Sequence, residues 1–313
     1  MQTNQSFEKI IQNHHYCMEC LTGKAVLSTR PLWEAVFSED SPAFTEYYFE
    51  EKAPHNITFI YRQTDASSDE IVSMVHLTPY EITIKGKAFP TYYIVGVATR
   101  SDLRHHGLMA ALLEQAFSYA RQNGAPFVFL MPANPKIYEP FGFSYLYSRS
   151  EYRVPDIITR SEVYINSFPV HDISIQCLKK DASEAQLQQL SDFATRTLSM
   201  QYDYYLTRTP AYYALLLKEL ASENGCIYTF TVNGSIEGCF LYASEENEPF
   251  IQELLFSDAL QKQISAHKIA DLFPKEKPQK KPIIMAKNLV SACQSDEPFP
   301  DASTYRGFIN ELV

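Results

Sequence analysis

A buried-type strand, a short basic loop and a long amphipathic helix follow one another directly in the first half of this chain. That succession limits the folds open to it. Residues 92–99 are apolar and rich in β-formers, as a central strand covered on both faces is. Met109, Leu112, Leu113, Ala116, Phe117 and Ala120 recur at helical spacing, and Asn123-Gly124 supplies a stop. Between them lies Arg104-His105-His106-Gly107-Leu108-Met109. A helix N-terminus presents unpaired N–H groups and the positive end of the helix dipole. Gly107 lets an anion approach the backbone, Arg104 adds a fixed charge with a donor fork, and His105 and His106 can add donors. Together these make an anion site suited to a pyrophosphate. An ordinary turn with a basic cap would contain the same residues, so the loop alone does not name a function.

The surrounding segments read as a mixed sheet with helices. Residues 28–50 are expected to be helical, because Trp33, Phe37, Phe44, Tyr47 and Tyr48 recur on one side. Residues 57–63 and 71–80 read as a hairpin across polar residues 64–70. A turn at Lys85-Gly86-Lys87 leads to the strand before the loop. After the helix come a short apolar strand at 127–131, a helical turn at 134–141 and a strand-like stretch at 143–154.

The second half repeats part of this order. Residues 173–178 read as a strand, and 184–198 and 211–221 as amphipathic helices. Residues 226–232 and 235–243 flank Asn233-Gly234, a strong hairpin signal, and 249–256 is one more strand. The helix–hairpin–strand order of residues 31–99 thus recurs, which indicates a tandem, diverged copy. The copy has nothing like residues 104–109 and is expected to be catalytically silent. Residues 274–282 (PKEKPQKKP) read as a linker, 283–290 as a strand, and the apolar end at 308–313 as a packed segment. The expected organisation is a first unit at 1–155, a second at 156–273, and a linker, strand and tail at 274–313.

The formal net charge of −10 disfavours nucleic acid and anionic membranes and favours cationic ligands. No apolar run approaches a membrane span and no leader is visible. The six cysteines are scattered, so reduced thiols and a cytoplasmic location are expected. His14, His15, Cys17 and Cys20 cluster near an expected helix without a second ligand pair, so no metal site is expected.

Residues 94–113, IVGVATRSDLRHHGLMAALL, resemble motif A of the GNAT N-acetyltransferases, and residues 128–143, VFLMPANPKIYEPFGF, resemble their motif B. Met109 stands where the motif often has Gly or Ala. Within that superfamily the chain most resembles the enhanced intracellular survival family, whose members carry a catalytic GNAT domain, a second GNAT-like domain and a sterol-carrier-like third domain. Only a short piece here corresponds to the third. The resemblance implies an α+β fold of tandem GNAT-like units, each a mostly antiparallel mixed sheet flanked by helices. It implies an acyltransferase that uses acetyl-CoA as co-substrate and a direct attack by an amine in a ternary complex.

The resemblance also assigns residues. Val97, Ala98 and Thr99 would face the pantetheine arm and acetyl group, residues 104–109 the phosphates, and Asn134 the coenzyme. Tyr138 in IYEPFGF would be the general acid. The ending FINELV implies that the carboxylate of Val313 returns to the site as the base, with Asp40, Glu139 or a water chain as alternatives. Trp33, Phe37 and Asp40 stand on the acceptor side, where carboxylates and aromatic faces suit a cationic small-molecule amine such as an aminoglycoside or polyamine. Trp33 and Phe37 would read equally as core. A protein or peptide acetyltransferase and a non-catalytic acyl-CoA-binding module are the competing readings. The sequence is compatible with a homo-oligomer.

Overall fold

The computed structural model describes residues 8–65, 69–153, 173–245, 248–267, 279–290 and 306–309. The first unit starts with a hairpin, β1 (Glu8–Ile11) and β2 (His14–Thr22), turned by Gln12 and Asn13 with φ of 51° and 66°. His14, His15, Cys17 and Cys20 therefore lie on a strand and not beside a helix as expected. Among the described residues no three His, Cys, Asp or Glu side chains gather as a metal site would need.

The expected helical stretch at 28–50 is broken into short pieces. A 3-10 turn (Gly23–Thr29) runs into α1 (Arg30–Val36), the chain opens at Phe37, and α2 (Pro42–Tyr47) restarts it. The restart has a local cause. Ser41, extended ahead of Pro42, accepts a hydrogen bond from the Phe44 N–H at 3.1 Å, which caps the new helix. A π turn (Tyr48–Lys52) and a 3-10 turn (Ala53–His55) complete the cover.

Strands β3 (Ile57–Gln63), β4 (Ile71–Ile84) and β5 (Lys87–Thr99) form an antiparallel meander with β2. Helix α3 (Leu108–Gln122) then crosses to β6 (Phe127–Leu130), which lies parallel to β5. β7 (Ser144–Arg153) follows but does not pair with β6. The gap is filled by β13 (Gln279–Asn288), antiparallel to both neighbours. Residues 279–282, expected in a linker, belong to this strand; 274–278 lie outside the described residues. The sheet of the first unit is thus closed by a strand that follows the whole second unit in sequence.

The second unit is β8 (Ile173–Leu178), α4 (Glu184–Gln201), β9 (Tyr204–Leu206), α5 (Pro210–Ser222), β10 (Cys226–Val232), β11 (Ser235–Glu245), β12 (Glu248–Phe256) and α6 (Asp258–His267). Its helices then strands repeat the order of the first unit, as a tandem of GNAT-like folds does. One continuous path, β1-β2-β3-β4-β5-β6-β13-β7-β12-β11-β10-β8, links both, because β7 pairs with β13 along its length and with β12 at Tyr152 and Arg153. β14 (Gly307–Phe308) pairs with β9, which in turn pairs with β4.

Two apolar cores lie on the two faces of the first sheet. α3 buries Leu112, Leu113, Ala116, Phe117 and Ala120 on one face, beside Val75, Leu77 and Ile94. α1, α2 and the turns after them bury Trp33, Phe44, Tyr48 and Phe49 on the other, beside Met74, Tyr93 and Val95. Such burial is the main stabilising term, at about 1.5–3 kcal/mol for a large apolar side chain. Between the units, Lys52 and Glu219 form a buried ion pair at 2.6 Å, and the Tyr47 hydroxyl donates to Glu219 at 3.0 Å. None of the helices among the described residues is long and apolar enough to cross a membrane.

Candidate active site

The loop between β5 and α3 takes an unusual backbone path. After a 3-10 turn at Ser101–Leu103, whose Leu103 is buried as an anchor, Arg104 is extended and His105 and Gly107 both adopt positive φ, 67° and 73°. Gly107 is the N-cap of α3, and its carbonyl accepts from Ala111 N at 3.2 Å. Left-handed residues on either side of His106, just ahead of a helix N-terminus, make a tight turn of the kind in which successive N–H groups can form an anion-binding nest. Arg104, His105, His106 and Gly107 are exposed, Leu108 is buried under the sheet face, and no acidic residue occupies the first turn of α3. Arg104 also donates from Nε to the Thr99 carbonyl at 3.2 Å, tying the loop to the strand end. A coenzyme pyrophosphate fits this set of donors and charge.

One contact of the loop was not legible in the sequence. Lys9, on β1, donates from Nζ to the Gly107 carbonyl at 3.0 Å and to the His106 carbonyl at 3.4 Å.

Strand β5 changes character just before the loop. Its pairing with β4 skips from Val95↔His76 to Ala98↔Met74, so β5 carries one extra residue, a bulge at Gly96 and Val97. Gly96 has φ of 58°, and a Cβ there would come within 2.5 Å of the Trp33 ring, so no other residue fits without displacement. β5 pairs with β6 only at Tyr92 and Tyr93, and the strands part beyond. Ser73 Oγ holds the free end, donating to the Ala98 carbonyl at 3.1 Å and sharing a hydrogen bond with Thr99 Oγ1 at 2.8 Å. The parted strands leave an opening into which a pantetheine arm can lie along backbone groups.

The splayed end divides the expected site residues between two faces. Val97, Leu108, Met109 and Tyr138 pack on the α3 side. Ala98, Trp33 and Phe37 pack on the α1 side. Tyr138 lies between two 3-10 turns, Pro135–Ile137 and Glu139–Phe141, and its carbonyl accepts from Phe141 N and Phe143 N. Its ring stands edge-on to Phe143, and burial pushes its hydroxyl pKa up to about 12. From β13, Lys287 donates to the Phe141 carbonyl at 2.6 Å, so the inserted strand braces the tyrosine turn. Asn134 caps that turn by accepting from Lys136 N at 3.1 Å, which commits its oxygen locally and leaves its amide NH2.

On the other face Trp33 is only 3% exposed and stacks on Tyr48 at 4.3 Å. It is a core residue, covered on its face by Tyr48. Its indole N–H donates to Asp40 Oδ2 at 2.8 Å while its six-membered ring abuts Gly96, so Asp40 and the bulge lie at opposite ends of one side chain. Burial raises the Asp40 pKa, and the Trp33 hydrogen bond partly offsets that. Phe37 is partly buried against the Trp33 ring at 4.8 Å. Glu139 is exposed. Val313 and Leu312 lie outside the described residues; Phe308 and Ile309 are buried, and Ile309 joins the core that contains Trp33.

Residues 21–146 match the family model of the acetyltransferase (GNAT) domain. The first unit is a GNAT acetyltransferase domain. That domain makes the chain an acyltransferase, of the class that takes its acyl group from coenzyme A and passes it to an amine. No curated protein matches the chain by sequence. Among solved structures the chain is similar to a probable N-acyltransferase from Enterococcus faecalis V583, with 18% identity, a TM-score of 0.63, and 88% of this chain and 73% of that chain covered. It is similar to a GCN5-related N-acetyltransferase from Anabaena variabilis, with 12% identity, a TM-score of 0.62 and coverage of 87% and 73%. Eis1 from Mycobacterium abscessus gives 13% identity, a TM-score of 0.59 and coverage of 88% and 73%. These similarities are of fold, and they extend over most of the chain.

Proposed function

We propose that this GNAT enzyme acetylates a primary amine of a cationic small molecule, of aminoglycoside or polyamine type, in a ternary complex with acetyl-CoA. The coenzyme supplies a thioester-activated acetyl group. The carrying observation is the division of groups across the splayed end of β5. The nest at residues 104–107 and Tyr138 face one side, while Asp40 and the Trp33 edge serve the other. An acceptor entering from the α1 side meets carboxylates first: Asp40, with Glu39 beside it. Their field concentrates cations.

The residues divide the proton work. Asp40, when ionised, accepts a proton from the acceptor ammonium through water, because the Trp33 indole separates it from the bulge. The bulge at Gly96 and Val97 offers backbone donors to the acyl oxygen, where negative charge develops. Tyr138, held protonated by burial, donates to the leaving sulfur. By family resemblance the carboxylate of Val313 is a second proposed base.

A thiol-release assay with acetyl-CoA across polyamines, aminosugars and lysine peptides tests the reading. Turnover with the small cations supports it. Turnover with lysine peptides alone replaces it with a protein acetyltransferase, and coenzyme binding without thiol release for any amine leaves a non-catalytic module.

A further inference from the structure

Lys9 comes from the edge strand β1, far from the loop in sequence, and precedes the residues matched by the GNAT domain model. Lysine on an edge strand commonly serves only to discourage pairing with another chain. Here its head is turned inward instead. Nζ lies 5.8 Å from the centre of the Tyr61 ring and reaches the carbonyls of His106 and Gly107. Partial burial lowers its pKa, and no carboxylate pairs with it among the described residues.

The two carbonyls matter because of the peptides they belong to. The His106 carbonyl shares a peptide with the Gly107 N–H, and the Gly107 carbonyl shares one with the Leu108 N–H. In a trans peptide the C=O and N–H point in opposite directions. A cation bound at the oxygen end therefore polarises the N–H end and makes it a stronger donor. It also resists rotation of two peptides flanking a left-handed glycine, which is the residue most free to rotate.

We propose that Lys9 is a positioning residue of the coenzyme loop: it grips the carbonyl side of residues 106 and 107 so that the opposite N–H side is fixed and polarised toward the coenzyme's phosphates. The proposal rests on the reading of residues 104–109 as the coenzyme loop. Lys9 makes no contact with the reacting atoms and acts through the backbone. An incompletely hydrated cation without a carboxylate partner is a favourable neighbour for an incoming pyrophosphate, so the grip also adds attraction that salt will screen.

The test uses the whole chain with Lys9→Met, which keeps the stem and removes the charge. Calorimetry with acetyl-CoA and with acetyl-dephospho-CoA at two salt concentrations should show affinity weakened about tenfold, the scale of one charge-assisted hydrogen bond. The dependence on salt should also be shallower for both ligands. The kcat/KM with acetyl-pantetheine, which carries no phosphate, should be unchanged, and so should the melting temperature. A loss confined to acetyl-CoA and absent for acetyl-dephospho-CoA would place the effect on the 3′-phosphate and overturn the pyrophosphate assignment. Equal affinities in wild type and variant, or equal losses with and without phosphates, would overturn the proposal. Wild-type protein that fails to bind acetyl-CoA would instead overturn the loop reading beneath it.

Discussion

The two units arrive at a strand followed by a helix in the same order, yet their junctions are opposites. In the first, residues 100–107 separate β5 from α3, with Arg104 exposed and left-handed backbone at His105 and Gly107. In the second, β12 ends at Phe256 and α6 starts at Asp258, so Ser257 is the entire connection. The Ser257 N–H donates to the Glu237 carbonyl at 2.8 Å, and its side chain accepts from Leu260 N at 3.2 Å. That helix has its Leu260 N–H capped by Ser257 and places the Asp258 carboxylate in its first turn. A phosphate would meet a capped donor and a like charge. The fold is shared, and the capacity for a coenzyme lies in one connection.

The comparison breaks most severely at Gly107. In Gly107→Glu a side chain must adopt positive φ, and its Cβ would lie 3.4 Å from Lys9 Nζ. The new carboxylate would also engage Lys9 and add a negative charge to the loop that is to receive the phosphates. Left-handed strain of about 1–2 kcal/mol together with charge repulsion should weaken acetyl-CoA by about a thousandfold. Calorimetry on the folded variant checks this, and unchanged affinity would mean that the two junctions do not differ in the way described.

Tyr138→Phe should leave acetyl-CoA affinity near that of wild type and reduce turnover about a hundredfold, because only the proton donor is removed. The acid must be protonated, and burial holds its pKa near about 12, so wild-type turnover should show no alkaline loss from this group below that region. A wild-type limb falling near the ordinary tyrosine value, and absent in the phenylalanine variant, would show that Tyr138 is less enclosed in solution than its packing implies.

Asp40→Asn should cost about tenfold in turnover at neutral pH, less than the roughly hundredfold or more usual for a general base, because water can partly replace it. Asp40 must be ionised to accept a proton, and burial raises its pKa. Wild-type turnover should therefore rise with pH through a midpoint above the ordinary carboxylate value of about 3.9, and that limb should vanish in Asp40→Asn. If the limb survives, the base is elsewhere; extending the chain past Val313 by a few residues, with an N-terminally tagged control, then tests the terminal carboxylate.

Much of this site could be read from the sequence because its signals are local. Gly107, Arg104 and the helical repeat after them lie within one short stretch, and Tyr138 with Gly142-Phe143 forms another. Apolar runs bounded by turn signals also located β3 and β10 at their observed bounds. What escaped was long-range. β13 contains Lys280, Lys281 and Pro282, which read as linker, and only its partners on β6 and β7, more than a hundred residues earlier, make it a strand. The β1–β2 hairpin turns on Gln12-Asn13, a weak version of the Asn-Gly signal, and its exposed faces carry His and Glu, so no alternation announced it. Lys9 was hidden with it. Trp33 illustrates a different limit: aromatic spacing marks a helix face, but whether an indole lines a pocket or fills a core depends on what packs above it, here Tyr48.

The smallest expected effect lies in the second unit and is the sharpest check on the asymmetry. If only one junction can take a coenzyme, calorimetry should give one acetyl-CoA per chain. Asp258→Asn removes the charge that opposes an anion at α6, yet Ser257 still caps the helix and no left-handed pair exists to form a nest. Affinity and stoichiometry should stay within about twofold of wild type, because removing a repulsive charge does not create donors. The variant should also melt slightly earlier, since Asp258 is an exposed acid in the first turn of a helix and such a charge contributes about 0.3–1 kcal/mol. Two coenzymes bound per chain, in wild type or variant, would show that the compact junction of the second unit opens in solution, and the contrast between the units would then be one of degree.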